Sequence, residues 1–148
     1  MADPANRTVA PEQSFLGVGW GFPPTFNRRD CSVMMSSGEQ DVRESLRILF
    51  STALGERIML PEYGSPLDRL VFQGINTTLA SQLREALRQA IITWEPRVEV
   101  GEIEVQTEAT AEGWVQVIVY YELSRTNTRA NLVFPFYLQE GTLVPATP

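Results

Sequence analysis

Apolar residues recur along this chain at two periods, and the change between them falls at Trp94-Glu95-Pro96-Arg97-Val98. Before that point Leu79, Leu83, Leu87, Ala90, Ile91 and Trp94 keep the spacing of one helical face. Asn76 or Thr77 can cap this helix, and Arg84 and Arg88 fall on or beside its polar face. Pro96 has no N–H for the helical ladder and drives Glu95 out of the helical region, so the helix ends there. Beyond the corner Val98 and Val100 alternate with Glu99, and then Ile103 and Val105 take the other parity. A bulge near Gly101 reconciles the two halves. After a turn at Glu112-Gly113, Val115, Val117, Val119, Tyr121 and Leu123 predict a second strand. Its other face carries Trp114, Ile118 and Tyr120, so it is apolar on both sides and reads as central. A third strand, Leu132, Phe134, Phe136 and Leu138, follows a polar link from Ser124 to Asn131. Pro135 cannot donate to a ladder, which predicts an edge or a break.

Upstream, Val42, Leu46, Leu49 and Ala53 mark an earlier helix starting near Ser37-Gly38-Glu39, with Gly55 as a left-handed cap. The stretch from Glu56 to Pro66 contains two prolines and Gly64 before its end, and predicts an extended, turn-rich connector. Leu67 to Phe72 suits one short helical turn. Further upstream, Phe15-Leu16-Gly17-Val18-Gly19-Trp20-Gly21-Phe22-Pro23-Pro24 alternates glycine with large apolar residues, which favours an irregular extended arm. Ser32 to Ser36 can close a hairpin with it. An arm carrying Phe15, Trp20, Phe22 and Phe26 calls for cover from its own domain or from a neighbour. The expected organisation is a flexible tail over 1–13, a single domain over 14–140 and a short tail over 141–148. The class is α+β: two main helices, then a mostly antiparallel sheet of about three strands, with an N-terminal arm.

Composition narrows the function. The 148 residues suit one domain with a real core. A net charge of -6 disfavours a nucleic-acid partner. All 12 basic residues are Arg, the side chain suited to forked carboxylate contacts. With no His, the commonest acid–base group and metal ligand is missing. One cysteine suits a reducing compartment. Neither a signal peptide nor an apolar run of ~20 residues is visible, so the expectation is a soluble chain made in the cytoplasm.

Catalysis finds little purchase. Glu39, Asp41, Glu44, Glu56, Glu62 and Asp68 are the carboxylates that paired-acid hydrolysis would draw on. Nothing in the sequence raises one carboxyl above its partner. No metal spacing, phosphate loop or nucleophile elbow appears. Cys31 lacks an activating base and reads as a small buried or half-buried residue. Glu95 and Arg97 read locally as a solvated ion pair of ~0–1 kcal/mol, and Gly55-Glu56-Arg57 as a helix stop with a charge pair.

Three segments in order, Thr52-Ala53-Leu54-Gly55-Glu56-Arg57, Met59-Leu60-Pro61-Glu62-Tyr63-Gly64 and Ala90-Ile91-Ile92-Thr93-Trp94-Glu95-Pro96-Arg97-Val98, resemble the baseplate-wedge and sheath-initiator family of contractile tails. That family includes the TssE component of type VI secretion and small wedge proteins of contractile phages. The match spans roughly Gly38 to Leu138. The Phe15-to-Pro23 arm resembles versions from extracellular contractile injection systems.

The resemblance implies a structural protein without catalytic residues, cofactor or metal. Six copies are expected in the baseplate of a phage-tail-like particle. Implied partners are the sheath protein, other wedge subunits and possibly the central hub, spike or tube, with no nucleic acid or membrane. Glu95, Pro96 and Arg97 would meet the neighbouring wedge bundle, and Gly55, Glu56 and Arg57 are further candidate interaction residues. Leu132, Phe134, Pro135, Phe136 and Leu138 form the candidate sheath-contacting strand, because strand exchange needs an available sheet edge. Alternatives are a lysozyme-like peptidoglycan hydrolase accessory, or the baseplate protein of a contractile phage or type VI system.

Overall fold

A computed structural model describes residues 15–70, 76–106, 114–124 and 126–137. The two expected tails, the turn at Glu112-Gly113 and Leu138 lie outside the described residues. The chain forms two compact units, one ending at Leu46 and the other starting at Arg47, so the division falls inside a helix.

The first unit is a hairpin arm followed by the start of that helix. β1 (Val18–Trp20) pairs antiparallel with β4 (Met35–Ser37), and β2 (Phe26–Asn27) with β3 (Ser32–Val33). Between the pairs, Gly21 N–H donates to Met34 O and Met34 N–H to Thr25 O, both at 2.9 Å. The expected hairpin is therefore present. Its turn is held by side chains: Asn27 Oδ1 accepts from Arg29 N–H at 3.1 Å, and Asp30 Oδ1 from Ser32 N–H at 3.4 Å. Cys31 sits in this turn at φ 51 and is exposed, against the buried or half-buried position expected for it. The two Asx bonds put the chain into a turn there, and composition carries no sign of that. Leu16 is buried, whereas Trp20 and Phe26 meet edge to face at 6.1 Å and stay 62% exposed.

α1 (Gly38–Ser51) starts where expected, with Glu39 and Asp41 in its first turn and Val42, Leu46, Leu49 and Phe50 buried. It ends earlier than Gly55 suggests. Ser51 Oγ donates to Arg47 O at 2.8 Å and Thr52 Oγ1 to Ile48 O at 2.6 Å, back-bonds that join the helical Thr52 N–H to Ile48 O bond in the last turn. Ala53 has already left the helix and forms a parallel bridge with Ser65.

In the second unit, α2 (Leu67–Leu70) leads toward α3 (Thr77–Trp94), whose first turn is capped by Asn76 Oδ1 accepting from Leu79 N–H at 2.7 Å. Leu79, Leu83, Leu87, Ala90 and Ile91 are buried as the spacing predicts. The sheet order is β5 (Val98–Gln106), β6 (Trp114–Leu123), β7 (Thr128–Tyr137), all antiparallel. β6 is central and buries Val115, Val117, Val119, Tyr121 and Leu123. The register shifts between Val100 and Ile103, where two residues oppose Tyr120: the bulge at Gly101. β7 is an unbroken edge strand, and Pro135 lies opposite Gln116 within it. It starts at Thr128, four residues before Leu132, because Thr128 to Asn131 pair with β6 although they are mostly polar. No described helix is long and apolar enough to cross a membrane.

Candidate docking site

The corner is built from the end of α3. Glu95 N–H closes the last helical bond to Ile91 O at 2.8 Å, and the residue then turns to φ -127, ψ 75, as Pro96 requires. Val98 N–H donates back to Glu95 O at 3.2 Å, and Ser124 N–H donates to Arg97 O at 3.1 Å, fixing the corner to the end of β6. The Arg97 fork folds onto its own corner. Nε donates to Glu95 Oε1 at 2.6 Å and Nη2 to Oε2 at 2.8 Å. The Glu95 side chain is only 4% exposed and that of Arg97 28%. This corrects the solvated pair read from the sequence. It is a buried carboxylate held by a two-pronged, charge-assisted clamp.

The connector reaches the same place. Ser65 N–H donates to Thr52 O at 2.9 Å and Ser65 Oγ to Phe50 O at 3.1 Å, anchoring its far end to the end of α1. At its near end Glu56, though exposed, accepts from Ala53 N–H at 2.8 Å through Oε2, so this carboxylate holds a turn. The Arg57 guanidinium lies 4.0 Å over the Tyr63 ring, and Tyr63 meets Trp94 edge to face at 5.3 Å. Burial raises the Tyr63 hydroxyl above the usual tyrosine range, with Arg57 pulling it down and Glu95 adding to the rise. The segments around Gly55-Glu56-Arg57, Tyr63-Gly64 and Trp94-Glu95-Pro96-Arg97 therefore form one continuous cluster through the stack Arg57–Tyr63–Trp94.

The candidate sheath-contacting strand is separate from that cluster. On β7, Leu132 is buried and Phe134 packs edge to face on Phe50 at 5.6 Å, so these side chains serve the core. Pro135 and Val133 are exposed, and Phe136 lies within the strand. What β7 offers outward is backbone. The opposite edge is occupied: Arg84 Nε donates to Ile103 O and Arg88 Nη2 to Gly101 O, both at 3.1 Å. The sequence placed both arginines near the polar face of α3. Only the packing of α3 beside β5 shows that they cap an edge.

The other carboxylates are engaged in the fold or stand apart. Glu39 pairs with Arg43 at 3.4 Å, and Glu44 accepts from Phe22 N–H at 3.0 Å and from Gln40 Nε2 at 2.7 Å. Glu62 and Asp68 are exposed. Among the described residues, no cluster of His, Cys, Asp and Glu is arranged to hold a metal.

Residues 36–128 match the profile of the family described as baseplate wedge protein gp25. The chain is 27% identical over 96 residues to baseplate protein W of Escherichia phage P2, covering 65% of this chain and 82% of that protein. A crystal structure from Geobacter sulfurreducens, named as a tail lysozyme, aligns with TM-score 0.68 at 41% identity over 74% of this chain and 98% of its own. The anti-feeding prophage baseplate, solved by cryo-EM, contains a chain with TM-score 0.62 and 25% identity, covering 86% of this chain and 90% of that one. A match of that extent exceeds residues 36–148, so it reaches upstream of the family profile.

Proposed function

This chain belongs to the baseplate wedge protein gp25 family, a structural component of contractile tails, and from that premise we propose that it docks on neighbouring wedge subunits and nucleates the sheath. The observation that carries the sheath half of this reading is the asymmetry of the sheet edges. Two arginines hold carbonyls of β5, whereas β7 presents a ten-residue edge. Strand addition therefore goes to β7, with Pro135 limiting promiscuous pairing. We assign the particle to the anti-feeding-prophage kind, a reading supported by the extent of that match beyond the family profile. Six copies per baseplate is the number expected here, and the six-fold symmetrised baseplate of the anti-feeding prophage supports it.

Particles carrying Val133→Pro test the sheath role. Pro135 has no N–H, so its N–H side faces away from β6. Val133 shares that parity, and a proline there removes an outward donor while sparing the β6–β7 ladder. The isolated variant should melt close to wild type, and electron microscopy should show baseplates and tubes without sheath. Normal sheaths on particles containing the variant would sink this role.

The tail-lysozyme name on the 41% identical structure favours hydrolysis as a second reading. Such chemistry needs one carboxyl kept protonated facing another kept ionised. Here Glu56 and Glu44 accept backbone N–H bonds and Glu95 is clamped by Arg97, arrangements suited to holding structure. Purified protein incubated with peptidoglycan should release no sugar fragments. Release that disappears in Glu56→Gln or Glu62→Gln would reinstate the enzyme.

A further inference from the structure

Ile58 and Met59 are each 93% exposed, and Leu60 beside them 38%. They stand at the two central positions of a turn closed by Leu60 N–H donating to Arg57 O at 3.3 Å. Such positions ordinarily take Gly, Pro, Asn, Asp or Ser, whose conformations and side-chain bonds suit a turn. Two large apolar side chains there break local turn chemistry with no gain inside the fold, the signature of a residue kept for something outside it.

The loop is also stiff. Gly55 N–H donates to Pro61 O at 2.8 Å across its neck, and Tyr63 N–H to Leu60 O at 3.1 Å behind it. A preset loop loses little conformational freedom on docking, so its apolar contacts convert efficiently into affinity.

Its flank has a definite charge. Among the described residues Arg57 forms no ion pair; its guanidinium rests on the Tyr63 ring. Glu56, next to it, is exposed and accepts from Ala53 N–H. A partner surface therefore meets an apolar tip with Arg57 directly beside it and the exposed carboxylates of Glu56 and Glu62 further along the loop. Tyr63 and Trp94 connect this tip to the Glu95-Pro96-Arg97 corner.

We propose that Ile58 and Met59 form an anchor that inserts into an apolar pocket of a neighbouring baseplate subunit, with a carboxylate on the pocket rim receiving Arg57. This rests on the docking half of the proposed function. An anionic membrane is the poorer occupant, since the chain carries a net charge of -6 and Glu56 and Glu62 flank the loop. Methionine and arginine are both enriched at protein interfaces, and arginine is among the residues that dominate their binding energy.

The test uses whole particles. Ile58→Ser with Met59→Ser changes only exposed side chains, so the purified variant should melt within a degree or two of wild type. Its content in purified baseplates should fall at least tenfold, and Arg57→Glu alone should also lower it. In wild-type particles a photo-crosslinking residue at Met59 should join an apolar pocket bordered by Asp or Glu on another baseplate protein. Full incorporation of the serine variant, or crosslinks to a polar surface, to lipid or to nothing, overturns the anchor. The docking reading itself falls only if the unaltered protein is absent from purified baseplates.

Discussion

Arg97→Ala should destabilise the isolated protein by about 3–5 kcal/mol, the usual cost of stripping one partner from a buried ion pair. The reason lies in Glu95, whose side chain is 4% exposed and whose oxygens accept the Arg97 fork at 2.6 and 2.8 Å. Without the guanidinium a carboxylate stays in a poorly hydrated corner. The control is Glu95→Gln with Arg97→Ala. It removes the buried charge while nearly keeping its shape, and should recover a large part of the loss. Denaturant melts of the three proteins decide the matter. If Arg97→Ala alone cost less than ~1 kcal/mol, the pair would behave as the surface pair the sequence suggested.

Gly64→Ala should cost on the order of 3 kcal/mol, far more than the same change at Gly55. Both residues have positive φ, +126 and +85, so both carry the conformational penalty of roughly 1 kcal/mol or more. They differ in space. A Cβ on Gly64 would lie 2.5 Å from Thr52 O and 3.1 Å from Ala53 backbone atoms, whereas one on Gly55 meets nothing within 4 Å. The Thr52 carbonyl is also the acceptor for Ser65 N–H, so a methyl at Gly64 pushes the connector off its anchor. Tyr63 would move with it, loosening the stack between Arg57 and Trp94. Thermal unfolding should show the Gly64 variant melting about 6–12 °C lower, for a chain of this size. Equal losses at the two glycines would remove the close approach as the cause.

These two results bear on how docking is measured. Glu95 and Arg97 belong to the fold as much as to any interface, so deleting them tests stability and docking together. Ile58, Met59 and Val133 are exposed and report on assembly with less interference.

How much of this protein was legible in its sequence follows from the range of the forces involved. Helix α3 was readable to its ends, because Asn76 and the Glu95-Pro96 step act on neighbours within a turn. The bulge at Gly101 was readable because alternation is a local, two-residue signal that fails visibly when a residue is inserted. The central place of β6 followed from apolar residues on both of its faces. The ordered motifs also pointed to the family. What the sequence could not contain was distance across the fold. Helix α1 stops after Ser51 because Thr52 N–H makes the last helical bond to Ile48 O, Ala53 N–H turns to Glu56 Oε2, and Ala53 pairs with Ser65. Glu95 and Arg97 looked like surface charges because burial is a property of what packs around them. Arg84 and Arg88 looked like a polar face until β5 lay beside them. The cluster joining Arg57, Tyr63 and Trp94 needs the connector folded back against the end of α3, and that contact exists only in tertiary structure, where packing and cation–π attraction act between residues far apart in the chain.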